Sequence, residues 1–428
     1  MTSPHLHVLG AGMAGLACAV EAVRAGWSVT VYDSAPRAGG RCRSYHDPLL
    51  DRMVDNGSHL MLSANSETRR LLGITGGWSA VREVRPATFA FHDLRNGASF
   101  TLRPNDGPLP WWIFSPHRRA PGSTALDHLA ALWRLFRAPA GATVADTLSG
   151  PLYDRVWHPL AEAVMNTAPH EACAASFRSV VRDSLLKGER ACRPWLFPQG
   201  LDAALVAPTV AWLEARGARV LTTTPIKSLD IGNGRVTALQ TRHDSVPLNH
   251  EDCVVSALPA HALKRLAPEL VPADLTWRAI LNVHFRLPSP LRLPPPGFLG
   301  LVGGKAHWVF LRDDVLSVTV SVADDLAAQS DDLIAESLWA DLRHIPAIAA
   351  IGNRVPLHRV VRERRATLAH LPGIDAQRPM ARTEQDNLML AGDWTATGYP
   401  CTVEGAVRSG VRAARLVIQG KTLHGSVE

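Results

Sequence analysis

The chain has 428 residues, of which 46% are hydrophobic and 20% charged, with a formal net charge of +6, and this length suits two intertwined domains. Six dispersed cysteines without a Cys-x-x-Cys pair argue against a zinc site or a disulfide framework and fit a reducing cytosol. The basic residues accompany no nucleic-acid motif, and no apolar run reaches the ~18 residues of a spanning helix, so we expect no metal, no nucleic acid and no membrane-spanning segment.

The first elements predicted along the chain form a βαβ unit. Residues 5–10 are predicted to form a short buried strand, 14–25 a helix that ends at Gly26, and 28–32 a second strand. Because the first strand begins so near the first residue, it leaves no room for a signal peptide. We therefore expect a cytoplasmic protein.

The later elements predict a second, antiparallel sheet and a return to the first. Residues 79–190 are rich in proline and tryptophan, with several helical stretches. The elements predicted after them are a helix at 201–216, strands at 218–221, 226–229, 236–240 and 253–259, alternating strands at 280–287 and 316–322, a helix at 333–343, a strand at 388–391 and a closing helix at 404–418. Gly232-Asn233-Gly234 is predicted to be a turn.

A glycine motif lies between the first strand and the first helix. Gly10 permits a tight turn, Gly12 lets the backbone approach a pyrophosphate, and Gly15 lets the helix pack closely on the strand. The helix N-terminus offers free N–H groups and a positive dipole to phosphates. Asp33, at the end of the second strand, is positioned to accept hydrogen bonds from an adenosine ribose. These residues predict a dinucleotide clamp.

Two further motifs favour FAD over a nicotinamide cofactor, and the second of them lies far away in sequence. The first, Gly39-Gly40-Arg41, supplies an arginine that can pair with the pyrophosphate. Ala391-Gly392-Asp393 is predicted to meet the ribityl–pyrophosphate region, and a helix that begins near 402–404 can direct its N-terminus at the flavin. No second Gly-x-Gly-x-x-Gly unit is present, so the sequence does not predict a separate NAD(P)H domain.

The tryptophans, twelve in all, are concentrated in apolar or basic stretches such as Trp111-Trp112-Ile113-Phe114 and the segment 132–137. Three interpretations stay open. These residues pack in a core, line a cavity for an apolar substrate, or form an interfacial membrane patch where tryptophan and cationic side chains lie together.

With these motifs the sequence resembles the amine oxidase–carotenoid desaturase superfamily of FAD proteins. Within it, the sequence is most similar to the hydroxysqualene dehydroxylases, the squalene-associated FAD-dependent desaturase family of bacterial hopanoid pathways. The similarity covers nearly the whole chain. The segments that carry it beyond the FAD motifs are 54–59, 152–167, Phe177 with 182–185, 307–310, 365–367 and 391–400.

The resemblance implies an α/β fold with two domains. A Rossmann-like FAD-binding domain of the glutathione-reductase/amine-oxidase type is expected from residues 1–78, 193–265 and 366–428. An α+β substrate-binding domain, built around an antiparallel sheet, is expected from 79–192 and 266–365.

The motifs and the resemblance together predict a set of cofactor contacts, in which Ile226 meets the adenine through its backbone. The predicted FAD-binding residues are Gly10, Gly12, Met13, Ala14, Gly15, Asp33, Ser34, Gly40, Arg41, Gly57, Ser58, Ile226, Gly392, Asp393, Thr402 and Val403. Two of them depart from the family pattern. Asp33 replaces the more common glutamate, which shortens the reach to the ribose by one methylene, and Ser58 stands where glutamine is usual.

The reaction that the resemblance implies is reductive dehydroxylation of hydroxysqualene to squalene. The allylic hydroxyl leaves as water after protonation, and the carbon accepts hydride from reduced FAD. His59 is the candidate polar group near the flavin, although a histidine hydrogen-bonded in the FAD loop is the more common role. An external donor such as NAD(P)H must regenerate reduced FAD. A peripheral position on the inner face of the membrane would deliver the substrate, with 110–119 as the candidate docking segment.

Three alternatives stay open at this point. A carotenoid-type desaturase would abstract hydride from a polyene with the same FAD clamp. A flavin-bearing or lipid-binding carrier would bind isoprenoid without turnover. An amine oxidase would need an aromatic residue where this chain has Thr402, because a cage around an amine uses a π-face. Thr402 therefore favours a hydrocarbon substrate.

Overall fold

The computed structural model describes residues 4–107 and 109–424. The helices are α1 Met13–Arg24, α2 Ser66–Thr75, α3 Ala125–Arg137, α4 Val144–Thr147, α5 His158–Met165, α6 Ala174–Asp183, α7 Glu189–Cys192, α8 Ala207–Glu214, α9 Ala260–Leu266, α10 Asp331–Leu342, α11 Pro346–Ala349, α12 Ile374–Gln377 and α13 Val403–His424. The strands are β1 His5–Leu9, β2 Ser28–Tyr32, β3 Ser44–Asp47, β4 Arg52–Asp55, β5 Met61–Leu62, β6 Arg82–Glu83, β7 Phe89–Asp93, β8 Ser99–Leu102, β9 Pro194–Leu196, β10 Arg219–Leu221, β11 Ser228–Gly232, β12 Arg235–Gln240, β13 Ser245–Pro247, β14 Cys253–Ser256, β15 Trp277–Arg286, β16 Phe298–Val302, β17 Trp308–Arg312, β18 Val315–Val320, β19 Leu357–Leu368 and β20 Leu388–Leu390.

A parallel five-stranded sheet joins the two ends of the chain. Its strand order is β10-β2-β1-β14-β20, so strands from the beginning, middle and end of the sequence lie side by side. The last helix, α13, packs on the first, α1, at very short range. A Cβ added to Gly410 would lie 2.0 Å from the carbonyl oxygen of Ala14, so only glycine allows this approach.

The second large sheet has seven strands in the order β19-β15-β18-β17-β16-β7-β8. All its pairs are antiparallel except β16 with β7. Alternation along β15 sends Leu281, Val283 and Phe285 into a core under α10, where the Phe285 and Trp339 rings lie 5.3 Å apart. Asn282 lies on the opposite face of the same strand, which faces a large cavity.

Helices α3, α4, α5 and α6 cover the cavity side of this sheet and share a third core with Trp112, Trp157 and Phe177. The parallel sheet with its glycine turn, together with the mostly antiparallel sheet, confirms the predicted α/β fold class. No helix within residues 4–107 and 109–424 is long and apolar enough to cross a bilayer.

Two predicted elements differ from the structure. The helix predicted at 201–216 is a π-helical turn at Asp202–Val206 followed by α8, and the change occurs beside Pro208, which has no N–H to donate in the first turn of α8. The strand predicted at 226–229 begins two residues later, as β11. It runs into the predicted turn, where Asn233 and Gly234 both have positive φ, at 52° and 72°.

Candidate active site

The three glycines at the turn after β1 have different structural roles. Gly10 has φ 105°, and a Cβ there would lie 2.8 Å from the Ala257 carbonyl oxygen, so the turn itself requires glycine. A Cβ on Gly15 would lie 1.9 Å from the carbonyl oxygen of Gly10. A Cβ on Gly12 would meet no atom within 4 Å, because Gly12 borders the cavity. The space in front of Gly12 and the N-terminus of α1 therefore suits a phosphate group.

Asp33 braces this turn. One carboxylate oxygen accepts a hydrogen bond from the backbone N–H of Ala11 at 2.7 Å, and the other accepts one from Ala35 at 2.8 Å. Asp33 and Ser34 both line the cavity. Each carboxylate oxygen keeps a further lone pair, so Asp33 can also accept from a ribose hydroxyl, as the sequence predicts.

An ion pair connects the two sequence motifs. The guanidinium of Arg41 donates to the carboxylate of Asp393 at 2.6 Å and also to the backbone carbonyl of Ala366. Asp393 is 6% exposed, whereas Arg41 is 36% exposed and faces the cavity. Residues separated by more than 350 positions therefore form one wall of the site, with an arginine available to an anionic group.

The first turn of α13 faces the same cavity, because Thr402 and Val403 are part of its lining. The Thr402 hydroxyl oxygen accepts a hydrogen bond from the Gly405 N–H at 3.1 Å and so acts as the helix cap. The dipole of this long helix places partial positive charge at the cavity wall. That charge suits an electron-rich ring edge.

Glu404, which sequence analysis did not single out, fixes the position of this helix. Its side chain is fully buried, and its carboxylate accepts hydrogen bonds from the Thr68 N–H at 3.0 Å and the Thr68 hydroxyl at 2.8 Å. It also pairs with Arg408 at 2.7 Å. The signal in the sequence was a single acid, in the first turn of a closing helix whose other charged residues are all basic.

One continuous cavity of about 580 Å³ runs from the glycine turn to the apolar core of the helical layer. The predicted site residues that line it are Gly10, Gly12, Met13, Ala14, Asp33, Ser34, Gly40, Arg41, Gly57, Ser58, His59, Gly392, Asp393, Thr402 and Val403. Two predicted residues lie outside this lining. Gly15 is buried between α1 and β1, and Ile226 packs beside Leu9 and Tyr32 in a separate core.

The far end of the cavity is apolar. Its lining comes from the seven-stranded sheet and from the helical layer, and includes Phe89, Phe91, Leu102, Trp112, Val156, Trp157, Leu160, Val164, Val181, Trp308 and Phe310. Of the tryptophans whose role the sequence left open, Trp112 lies in this wall and is 7% exposed. A lining of this kind, with few polar groups, suits a hydrocarbon chain.

His59 lies where the polar and apolar parts of the cavity meet. Burial lowers the pKa of its imidazole, the carboxylate of Asp55 partly opposes this, and Arg41 lowers it further. The side chain is therefore neutral near pH 7. Its ring forms no hydrogen bond with any residue that the structure describes and lines the cavity, so it is available to a ligand.

Asn282 and Thr319 are the polar groups that sequence analysis missed. The Asn282 side-chain oxygen accepts a hydrogen bond from the Ser58 N–H at 3.2 Å and from the Thr319 hydroxyl at 2.7 Å. Asn282 is 2% exposed and lines the cavity. It holds the loop before His59 in place. An asparagine inside the apolar alternation of β15 was the available signal.

Two arginines, one histidine and one acid, Glu363, form another part of the cavity wall. His261, Arg265 and Arg365 line it near Arg41, and burial followed by the charges of Arg365 and Arg265 lowers the pKa of His261. Arg265 and Arg365 are both exposed and form no ion pair within the described ranges. This part of the wall therefore attracts anions.

Comparison with known proteins agrees with this geometry. The sequence profile of the flavin-containing amine oxidoreductases matches residues 13–418. The chain is 42% identical to the hydroxysqualene dehydroxylase of Rhodopseudomonas palustris, over 97% of this chain and 99% of that protein, and 35% identical to that of Zymomonas mobilis, over 96% and 98%. Cyclohexylamine oxidase from Brevibacterium oxydans shares the fold with a TM-score of 0.69 at 18% identity, over 98% of this chain and 100% of that one. The chain therefore belongs to the hydroxysqualene dehydroxylases within the flavin-containing amine oxidoreductases, and it is an FAD-dependent oxidoreductase.

Proposed function

We propose that this enzyme converts hydroxysqualene to squalene by reductive dehydroxylation, as a step of squalene formation for hopanoids. One observation carries the proposal: a single cavity joins the glycine turn before α1 to an apolar end with few polar groups. The names of the full-length relatives at 35–42% identity support the substrate. When bound, reduced FAD supplies the hydride for the allylic carbon.

The residues of the glycine turn and of the Arg41–Asp393 pair are proposed to hold FAD. The N–H groups at the start of α1 and the Arg41 guanidinium face the same space, so they can bind a pyrophosphate between them. The first turn of α13 is proposed to meet the flavin. Asp33 is proposed to bind the ribose while it braces the turn.

His59 is proposed to act on the hydroxyl that leaves. The reaction consumes one proton and one hydride and releases water, so a proton must reach the oxygen. A neutral imidazole binds the hydroxyl by a hydrogen bond, and its protonated form is a stronger acid than a free imidazolium because burial lowers its pKa. The apolar wall around Trp157 and Phe310 excludes water from the carbon that accepts hydride.

An external reductant such as NAD(P)H is proposed to regenerate the reduced flavin. The exposed arginines of the cavity wall, Arg265 and Arg365, support this, since the phosphates of a nicotinamide nucleotide carry the complementary charge. Charge reversal at Arg265 should raise the apparent KM for the reductant and leave single-turnover squalene formation unchanged.

The direct test supplies each substrate to the enzyme in the matching redox state. Enzyme with reductant and hydroxysqualene should yield squalene, identified by mass. Oxidised enzyme with a polyene precursor should show no loss of flavin absorbance. A desaturase, the alternative that shares the FAD clamp, predicts the opposite pair of results and would replace the proposal.

A further inference from the structure

The most unusual surface of the molecule lies over the apolar end of the cavity. Seven of the thirteen large apolar side chains that are exposed among the described residues lie between positions 109 and 136. We call the exposed part of residues 109–137 the helix α3 surface. Isolated apolar residues on a surface are ordinary, but a cluster of this size marks a binding surface.

Helix α3 is apolar on two opposite faces. Its inner face packs Ala131 and Leu135 into the core of the helical layer. Its outer face carries Leu126, Leu129 and Trp133, which are 75%, 43% and 60% exposed. These three positions follow the i, i+3, i+7 spacing of a single helix face, so the side chains form one stripe. A stripe of this kind has no covering partner within the described chain.

The 3-10 turn Trp111–Phe114 adds to the same surface. Trp111 and Phe114 are 63% and 56% exposed, and their rings lie 5.9 Å apart. The two residues between them are buried and anchor the turn in the core. The apolar rings are therefore held outward on a fixed base, as in proteins that place tryptophan at a lipid interface.

The charge of this surface favours an anionic partner. Residues 109–137 contain four arginines against one acid, Asp127, and that carboxylate is engaged in capping α3 through Thr124. None of the four arginines forms an ion pair within this part of the chain. Arg134 donates to the Ser149 hydroxyl, and the Arg137 guanidinium lies 5.3 Å from the Trp133 ring. These cations can bind lipid phosphates while the rings enter the acyl layer.

The helix α3 surface also lies directly over the cavity. Trp112, in the middle of the 3-10 turn, and His128, on the inner face of α3, both line the apolar end. Only the thickness of this turn and helix separates the cavity from the exposed stripe. The distance that an apolar substrate has to cross between the surface and the cavity is therefore short.

We propose that the helix α3 surface docks on an anionic phospholipid bilayer and that the substrate enters the cavity from the acyl layer beside Trp112. The docking rests on exposure and charge alone. The entry route rests in addition on the proposed function, because it requires a C30 isoprenoid that resides in lipid.

Vesicle flotation of the FAD-loaded full chain tests the docking. The parent protein should bind vesicles of phosphatidylglycerol and phosphatidylcholine, bind phosphatidylcholine alone weakly, and lose binding as salt increases. The variants Leu129→Glu and Trp133→Glu should each weaken binding by about tenfold or more, because each removes an apolar side chain from the interface. Met380→Glu is the matched control, since Met380 is 55% exposed and lies elsewhere on the molecule.

Charge reversal separates the electrostatic part of the docking. Arg134→Glu with Arg137→Glu should abolish the preference for the anionic vesicles, whereas Arg242→Glu, at an exposed arginine outside the surface, should not. Equal binding by all variants, or no binding by the parent, would overturn the proposal. So would a dimer in size-exclusion chromatography that Trp133→Glu dissociates, because a second copy would then cover the stripe.

The activity assay keeps the two proposals apart. With hydroxysqualene in detergent micelles, Trp133→Glu should match the parent, and with hydroxysqualene in vesicles it should be slower by about the loss in binding. A parent without activity in either medium contradicts the proposed function and leaves the docking result standing. A variant that loses activity equally in both media contradicts the entry route.

Discussion

Substitution of Gly12 by alanine separates a cofactor role from a structural role at the glycine turn. Gly12 has φ −73° and ψ 176°, which any residue adopts, and a Cβ there meets no heavy atom within 4 Å. The FAD-free protein should therefore fold unchanged, with a free energy of unfolding about 0.4–1 kcal/mol higher because alanine restricts the unfolded chain. Gly15→Ala should instead destabilise the apoprotein, since its Cβ would lie 1.9 Å from a backbone oxygen.

The cost of Gly12→Ala should appear only when FAD binds. The added methyl group enters the space in front of the α1 N-terminus and keeps the phosphates from the backbone N–H groups. Loss of one charge-assisted hydrogen bond costs about 1.5–3 kcal/mol. The Kd for FAD should therefore increase by roughly 10- to 100-fold.

Flavin fluorescence quenching gives the Kd, and thermal unfolding of the apoprotein gives the stability. Gly73→Ala is the matched control, because Gly73 also has open space around its Cβ and lies in α2, outside the cavity lining. It should leave the Kd unchanged. If Gly12→Ala binds FAD as tightly as the parent, the phosphates do not lie at this turn and the proposed cofactor position is wrong.

Three further predictions concern buried polar groups. The rate of squalene formation by the parent should increase below pH 6.5, because the acid form of His59 accumulates as the pH falls toward its lowered pKa. His59→Asn should lower the rate and remove this increase. A variant with an unchanged pH profile would assign the proton to another group. Glu404→Ala should cost about 3–5 kcal/mol in urea unfolding, since it leaves Arg408 unpaired and the Thr68 donors unsatisfied; a loss within error would contradict the buried network. Folding stability should decrease from pH 6.5 toward pH 4, because burial lowers the pKa of His284 and of His370 to about 4, so that the unfolded chain binds more protons than the folded one. Each histidine should lower the free energy of unfolding by roughly 3 kcal/mol over that pH range. Equal urea midpoints at pH 7 and pH 5 would refute this prediction.

The sequence was sufficient where function depends on local backbone geometry. The roles of Gly10 and Gly15 follow from a strand–turn–helix, which neighbouring residues specify, and the structure gives both the crowding that was predicted. The fold class could be predicted for the same reason, since alternation and helix endings are local patterns. The helix predicted at 201–216 is present, but its π-helical first part, which ends just before Pro208, was missed because hydrophobic periodicity does not indicate a π-helical turn.

Roles that depend on distant contacts could not be predicted. Asn282 acts on Ser58, which is 224 positions away, and Glu404 acts on Thr68 at a separation of 336. The positions of the tryptophans could not be predicted either, even for neighbours in the sequence. Trp111 and Trp112 are adjacent, yet one is 63% exposed and the other lines the cavity, because a 3-10 turn rotates them to opposite sides. Composition alone left their roles open.

The most direct test of the central claim is an anaerobic single turnover. The purified protein is reduced with dithionite, excess reductant is removed, and hydroxysqualene is added while flavin absorbance and product mass are followed together. Reoxidation of the flavin with one squalene per flavin is the predicted result. Flavin that stays reduced, with no squalene formed, would contradict reductive dehydroxylation.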